Sequence, residues 1–496
     1  MKTPAILCLL WPRFARVVEP FLAKNPGTVI LTPRFQASQE LVNAVARANG
    51  QLVLIDDLLT EADVSLCGER ANAIASTIDN HHLTLGWKDF SAHWEIAPEI
   101  FATEIKQVSD QMIPAQLTMI QMLDRATESY QIGLSILSED LMALGKTTAL
   151  WSKQKKIPSI HLLHGVALAR PYTVHQLLIC DTLAVYGERS VESYIDVGIS
   201  GDRIRITGNP AWDDYPVLVP RRAEEKAQLQ ATYGLAPAAP IVVFSPTWAH
   251  NLSAISDEHI FGRSLTAFIE TILDLREQGL EINAVIKDRP HNFEFGKQRF
   301  AAICAELGVD RDSFHYLQDA PEPWVVAADV LIGIDSNILV EALLCGTPTI
   351  NLMTDWGLRL GPSFDGDSGI VEVPAEKLSD TLLKLIADQK WRENKIACMQ
   401  SAAPRYNIGV DGKASLRVAE LMSELYRHQT AISQGYVWQD CLDVPDIDAT
   451  GYHGGARGDL VDYFTNSPKM LLDIGCAAGG TGAVFKQKYP RAKVWG

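Results

Sequence analysis

Short, continuously apolar runs alternate with longer amphipathic stretches through most of the chain. Ile6 to Leu10, Thr28 to Thr32 and Leu52 to Ile55 are apolar, and each precedes a segment with helical spacing. After a more irregular helical region around residues 60 to 125, the pattern resumes with "QIGLSIL", "SIHLLHG", "TLAVYG" and "RIRITGNP". Strands that read as unbroken apolar runs, without polar alternation, belong to sheets covered by helices on both faces. Strand followed by helix, repeated in this way, predicts a parallel α/β sheet.

Between residues 213 and 240 the text turns rich in proline and charge, "YPVLVPRRAEEKAQLQATYGLAPAAP", and reads as a linker with a short helix. A second series follows: "IVVFSPTW", a long helix from Ser264 to Gln278, "INAVIKD", a helix near Lys297 to Leu307, "FHYLQD", "VLIGI", a helix from Ile338 to Cys345, and "TPTINL". The helix "GKASLRVAELMSELYRHQTA" closes this series near residue 431. The expected fold class is therefore α/β, with two tandem Rossmann-like domains (1–215 and 216–431) facing each other across a cleft. Residues 432–496 add a turn-rich, acidic linker and a further Rossmann-like beginning: an apolar strand at Met470 to Ile474, a glycine-rich turn, a helix start and a second strand at Ala492 to Trp495.

Composition narrows the partners. A 496-residue chain with 47% hydrophobic residues can bury the cores of two or three domains. Its formal charge of −16 disfavours sequence-independent binding to nucleic acid, so a phosphate-bearing ligand would need a local cationic patch. "VIKDRPHN" supplies such a patch with Lys287, Arg289 and His291, although an isolated cluster of this kind also fits a solvated loop. No run of eighteen apolar residues occurs, and the N-terminal apolar segment, interrupted by Arg13 and Arg16, reads as a first buried strand. The eight cysteines are scattered without a C-x-x-C pair, which points to a reducing cytoplasm and away from a disulfide framework or zinc ribbon.

The densest chemical signal is "VLIGIDSNILVEALLCGTPTI". An apolar strand ends in Asp335-Ser336-Asn337 and a helix begins, which sets Ser336 and Asn337 where free backbone N–H groups and the helix dipole favour an anion. Glu341 lies about a turn further on, at a spacing that suits a carboxylate accepting from ribose hydroxyls; a plain N-cap with an exposed glutamate fits the same letters. Open α/β sheets bind ligands at the carboxyl ends of their strands. Ser245, Thr247 and Trp248 from "FSPTW", and Lys287 and His291 from "IKDRPH", join Ser336 and Asn337 on that criterion. In the first half His164-Gly165 ends one strand, and Glu139 and Asp140 follow another. A histidine or carboxylate there would serve as general base toward an acceptor hydroxyl, or be a structural strand-end residue. "ALGKTT" is no P-loop, because Asp140 occupies the position of the first glycine; Gly145-Lys146-Thr147 reads as a helix start.

The order "HLLHG", "VYGERSVESYIDVGISGDRIRITGNPAWD", "FSPTW", "IKDRPH", "AADVLIGIDSNILVEALLCGTPTINL" and "DGKASLRVAELM" resembles GT-B glycosyltransferases of bacterial surface-polysaccharide synthesis. It is closest in style to the CDP-glycerol glycerophosphotransferase-like and UDP-N-acetylglucosamine 2-epimerase-like branches, over residues 130 to 427. The resemblance implies a donor nucleotide sugar held by the second domain. Ser336 and Asn337 would contact its diphosphate, Glu341 its ribose, and Thr247, Lys287 and His291 its phosphates. A glycan or lipid-linked glycan acceptor would bind near His164, with Glu139 and Asp140 as further catalytic candidates. Catalysis would need no metal, and the enzyme would be cytoplasmic, at most peripheral to the inner face of a membrane. "KDRPHN" in place of "K-x-H-P", and "DSN" in place of "D-Y-S-S", depart from the common form and leave the donor base open.

The C-terminal "GYHGGARGDLVDYF" and "LLDIGCAAGGTG" resemble class I S-adenosylmethionine-dependent methyltransferases. The acidic residue that would bind the cofactor ribose should follow "AKVWG", so the expectation is an N-terminal portion of a longer enzyme, with S-adenosylmethionine bound only by a complete domain. The leading expectation is a glycosyltransferase. A polyol-phosphate transferase with a CDP-linked donor, a nucleotide-sugar epimerase and a non-catalytic glycan-binding scaffold are the alternatives.

Overall fold

The apolar runs form two all-parallel sheets. The first contains β1 (Thr3–Leu9), β2 (Val29–Thr32), β3 (Gln51–Leu54), β4 (Tyr130–Leu137), β5 (Ser159–Leu162), β6 (Thr182–Val185) and β7 (Ile204–Ile206), in the order β3-β2-β1-β4-β5-β6-β7. The second contains β8 (Ile241–Ser245), β9 (Asn283–Lys287), β10 (His315–Leu317), β11 (Val330–Gly333), β12 (Thr349–Met353) and β13 (Val371–Pro374), in the order β10-β9-β8-β11-β12-β13. The computed structural model describes residues 2–84, 106–165, 178–247, 258–289, 293–353, 364–427, 461, 468–472 and 480–495.

Both orders reverse direction once, between β1 and β4 in the first sheet and between β8 and β11 in the second. Such switch points leave a crevice outside the carboxyl ends of the two strands that flank them. The strands that flank them are enclosed toward their carboxyl ends: Ala5 to Leu9, Ile132 to Leu137, Ile241 to Ser245 and Val330 to Gly333 are all buried. Burial on both faces explains why alternation is missing from their sequences.

The helix at Ala414–Arg427 closes the second series in sequence but not in space. Its apolar side, Val418, Ala419, Leu421 and Met422, packs with Ile6, Phe14 and Phe21 against the first sheet. Gly133 in β4 is glycine because a Cβ there would stand 2.5 Å from the Tyr426 ring. The chain therefore crosses between the sheets twice, and the crossings are bonded together. Asn407 Oδ1 accepts from the Asn209 amide at 2.8 Å, and Asp213 accepts from the Ala414 and Ser415 amides at 2.9 and 2.8 Å. Asp213 thereby satisfies N–H groups that the first turn of that helix leaves without intrahelical partners.

At the C-terminal end, β14 (Met470–Leu472) and β15 (Lys493–Trp495) pair in parallel, with a helix at Gly480–Lys488 between them. The strand–helix–strand order matches the sequence pattern, while Gly475 and Gly479 of the turn lie outside the described residues. Among the described residues, no helix is long and apolar enough to cross a membrane.

Candidate functional site

The two switch points face each other. At the first, the Trp11 amide after β1 donates to Ser138 Oγ after β4 at 2.8 Å. His164, just beyond β5, points its Nδ1 at the Ser138 carbonyl at 3.0 Å and sets its ring against Trp11, with centroids 4.5 Å apart. A carbonyl oxygen only accepts, so Nδ1 carries the proton and the lone pair lies on Nε2. Burial, and after it the neighbouring His161, push the His164 pKa down to about 4, which leaves the imidazole neutral at physiological pH.

At the second switch point Thr247, 8% exposed, donates from Oγ1 to the Ile334 carbonyl at 2.7 Å and ties the end of β8 to the end of β11. Asp335 follows with a φ of 41°, in the left-handed region that strains a non-glycine residue. Asn351 holds it there: its Oδ1 accepts from the Asp335 amide at 2.9 Å and its Nδ2 donates to Asp335 Oδ1 at 2.8 Å. The turn delivers Ser336 as the N-cap of the Asn337–Cys345 helix, with no side-chain capping bond. The Leu339 amide bonds back to the Ser336 carbonyl at 3.1 Å, and the helix dipole puts partial positive charge at this end.

Asn337 joins the two halves. Its Nδ2 donates to the His164 carbonyl at 3.1 Å, and the Arg13 guanidinium donates to the same oxygen at 2.8 Å. Arg13 lies over the Trp11 and Phe14 rings, 5.2 and 4.9 Å from their centroids, which places an exposed cation beside the junction. One turn along the helix, Glu341 accepts a hydrogen bond from the Tyr215 hydroxyl. Burial pushes the Glu341 carboxyl up to about 7, against the donation from Tyr215 and Trp212 and the nearby charge of Arg13; Glu322 reinforces the rise.

Several sequence candidates are placed elsewhere. Glu139 folds over the start of the Ala143–Gln154 helix, where Oε2 accepts from the Leu141 and Met142 amides at 3.1 and 2.6 Å. It caps that turn, and desolvation raises its pKa. Asp140 is fully buried, unlike the strand-tip carboxylate expected. Its Oδ2 accepts from the Ile179 and Cys180 amides at 2.8 and 2.9 Å, and its Oδ1 lies 3.1 Å from Nδ1 of the equally buried His161. Burial alone would raise this carboxyl; His161 and the two amides outweigh it and bring it down to about 2. Lys287 is 2% exposed, with Nζ bonded to the Asp288 carbonyl at 2.8 Å and 3.6 Å from Asp319. Asp319 in turn accepts from Tyr233 and Trp324, so the ammonium belongs to a network within the second unit and is not presented to the crevice. His291 and Trp248 lie outside the described residues.

Sequence reading passed over Arg13, Tyr215 and His161. The signal for Arg13 was its place one turn beyond β1, the strand beside the switch point. Tyr215 and His161 gave none, because their partners lie more than a hundred residues away or in another strand end.

No family model matches the sequence, and no curated protein matches it. Solved structures do resemble it. A UDP-GlcNAc 2-epimerase from Neisseria meningitidis bound to UDP-GlcNAc aligns over 86% of this chain and 100% of its own, with a TM-score of 0.51 at 13% identity. Another UDP-N-acetylglucosamine 2-epimerase aligns over 88% of this chain and 100% of its own, with a TM-score of 0.50 at 13% identity. This chain has the GT-B fold. A glycosyltransferase from Rickettsia africae aligns over 86% of this chain and 100% of its own, with a TM-score of 0.48 at 11% identity. Identities this low speak of architecture and leave the reaction to the site.

Proposed function

We propose that the protein is a nucleotide-sugar-dependent glycosyltransferase, with the first-sheet unit (residues 1–215 together with the helix Ala414–Arg427) binding the acceptor and the second-sheet unit the donor. The observation that carries this reading is the junction at Asn337 and His164. A helix N-terminus of the kind that suits a diphosphate is tied, through Asn337, to the backbone carbonyl of a neutral histidine near the first switch point. In the reaction, the acceptor hydroxyl oxygen attacks the anomeric carbon of the donor and its proton passes to His164 Nε2. The bond from that carbon to the diphosphate breaks, and its electron pair leaves with the nucleotide. The helix N-terminus and Arg13 stabilise the departing charge, and Glu341 accepts from the ribose hydroxyls.

Among the described first-unit candidates, the placement of the carboxylates favours transfer over epimerisation. Glu139 is occupied by backbone amides and Asp140 by His161 and two amides, and His164 is the group proposed to take the acceptor's proton. Acceptor attack needs one such group. Epimerisation at a carbon centre needs a proton removed and returned on opposite faces. The glycan or lipid-linked glycan class of acceptor, and a following S-adenosylmethionine-dependent domain beginning at β14, are supported by the sequence resemblance.

The test is thermal stabilisation by the UDP, GDP, CDP, CMP and dTDP series of nucleotides and nucleotide sugars, with S-adenosylmethionine alongside, followed by product analysis with and without a glycan acceptor. A shift with one nucleotide that is lost in Glu341→Ala, and sugar transfer lost in His164→Ala, are expected. A new nucleotide sugar formed without acceptor would replace this reading with the epimerase. Transfer of a phosphate-bearing group from a CDP-linked donor would replace it with the polyol-phosphate transferase, and glycan binding with no nucleotide shift would replace it with the scaffold.

A further inference from the structure

The segment that connects the two sheets reaches into the nucleotide side of the cleft. Trp212 lies in the turn Pro210–Trp212 and Tyr215 opens the short helix Tyr215–Leu218, and the two are 5% and 1% exposed. Trp212 is anchored against Tyr186 of the first unit, with ring centroids 4.9 Å apart. From there Tyr215 donates through its hydroxyl to Glu341 Oε2, and Trp212 beside it favours the ionised carboxylate. Both rings are rigid and buried, so neither is free to swing away as a surface lysine would.

We infer that Tyr215, assisted by Trp212, is a positioning residue for nucleotide recognition: it fixes the Glu341 carboxylate in the orientation and charge state that accept the vicinal hydroxyls of a ribose. The inference rests on Glu341 being the ribose contact. A carboxylate has about four lone-pair sites. One is taken by Tyr215, which leaves lone pairs on both oxygens for the two O–H donors of a ribose diol. Without the donors the carboxylate would face Glu322 from the helix Glu322–Ala327, with Arg13 as the compensating cation and Cys345 on its own helix beside Arg222. In those surroundings it would take up a proton and turn from acceptor to donor. Hydrogen bonds to the ionised form oppose that change. The connection between the units would thereby set nucleotide affinity, although the phosphates are bound elsewhere.

The experiment is calorimetric titration of UDP, GDP and CDP, each against its 2′-deoxy counterpart, into the full chain at about pH 7 and about pH 9. The wild type is expected to prefer the ribonucleotide by about tenfold, the magnitude of a hydrogen bond to a charged group. Glu341→Gln should erase that preference at both pH values. Tyr215→Phe should lose about tenfold in ribonucleotide affinity at about pH 7 and regain most of it at about pH 9, where the carboxylate is again ionised. A merely structural role for Tyr215 would weaken ribo- and deoxynucleotides alike and show no recovery with pH. If Tyr215→Phe does not fold, Trp212→Phe removes the neighbouring indole N–H that favours the ionised carboxylate and should give the same pattern at smaller amplitude. Should Glu341→Gln keep the ribose preference, or should no nucleotide bind, the ribose reading falls and the inference with it. Should Glu341→Gln lose the preference while Tyr215→Phe and Trp212→Phe retain it at both pH values, the ribose reading stands and the positioning role is overturned.

Discussion

Asn337 and His164 are 173 residues apart in sequence, yet the side-chain amide of one donates to the backbone carbonyl of the other at 3.1 Å. The same carbonyl accepts from Arg13. Asn337→Asp replaces a donor by a carboxylate facing that oxygen, so attraction becomes repulsion. The expected outcome is a loss of about 1–3 kcal/mol of stability, measured by denaturant titration. Asn337→Gln, which keeps the donor on a longer arm, should recover part of it.

His164 links stability to acidity. Its folded-state pKa of about 4 lies below the ordinary 6.5, so the unfolded chain binds more protons between these values. The stabilisation is therefore complete above pH 6.5 and is lost as pH falls through about 4. Unfolding free energies of the wild type and His164→Asn, measured across that window, should differ in slope there and run parallel above it.

Glu341 gives the opposite sign. With its carboxyl raised from 4.5 to about 7, the folded chain holds a proton that the unfolded chain has released, and stability falls as pH rises between these values. Glu341→Gln should remove this fall. On the proposed ribose contact, which uses the ionised form, nucleotide binding at a pH just below 7 should release a proton, seen as a dependence of the calorimetric heat on buffer ionisation enthalpy.

Gly145 carries a packing constraint in the first unit. A Cβ there would stand 2.1 Å from Glu139 Oε1 and 2.4 Å from the Glu139 carbonyl. Gly145→Ala should destabilise the chain by about 1–3 kcal/mol, checked by thermal melting. Glu139→Ala should cost about 1 kcal/mol as a lost cap, and in its background the alanine should still be unfavourable, because the backbone oxygen stays in place.

Lys287 separates a structural cation from a ligand-binding one. Lys287→Met should lower the melting temperature, since the Asp288 carbonyl and Asp319 lose their partner, and leave nucleotide affinity unchanged. A large loss of affinity in a folded variant would return this residue to the phosphate site.

The sheets were legible because buried parallel strands must be apolar on both faces: "IVVFS" and "VLIG" admit little else. The strand at Val371–Pro374 and the helices at Leu378–Ala387 and Gln389–Tyr406 escaped notice, being edge or outer elements with mixed exposure. In the site, local sequence located the strand ends and said little of which side chain would face the cleft. Glu139 and Asp140 are neighbours in the same loop, yet one caps a helix and the other is drawn beneath the surface by amides forty residues away. Ser336 and Asn337 were readable because a helix start fixes its own N-cap. The donors on Glu341 were not, because they depend on how the connecting segment returns.

The double crossing between the sheets limits how the cleft can move. A single strand of chain would leave the two units free to swivel in any direction. Two crossings laced by Asn209 with Asn407, and by Asp213 with Ala414 and Ser415, act as the pin of a door. Rotation about that line stays soft, while twist and slide would break the lacing. The bond between Asn337 and His164 would act as that door's catch, so that each closing would bring the same two residues back into register.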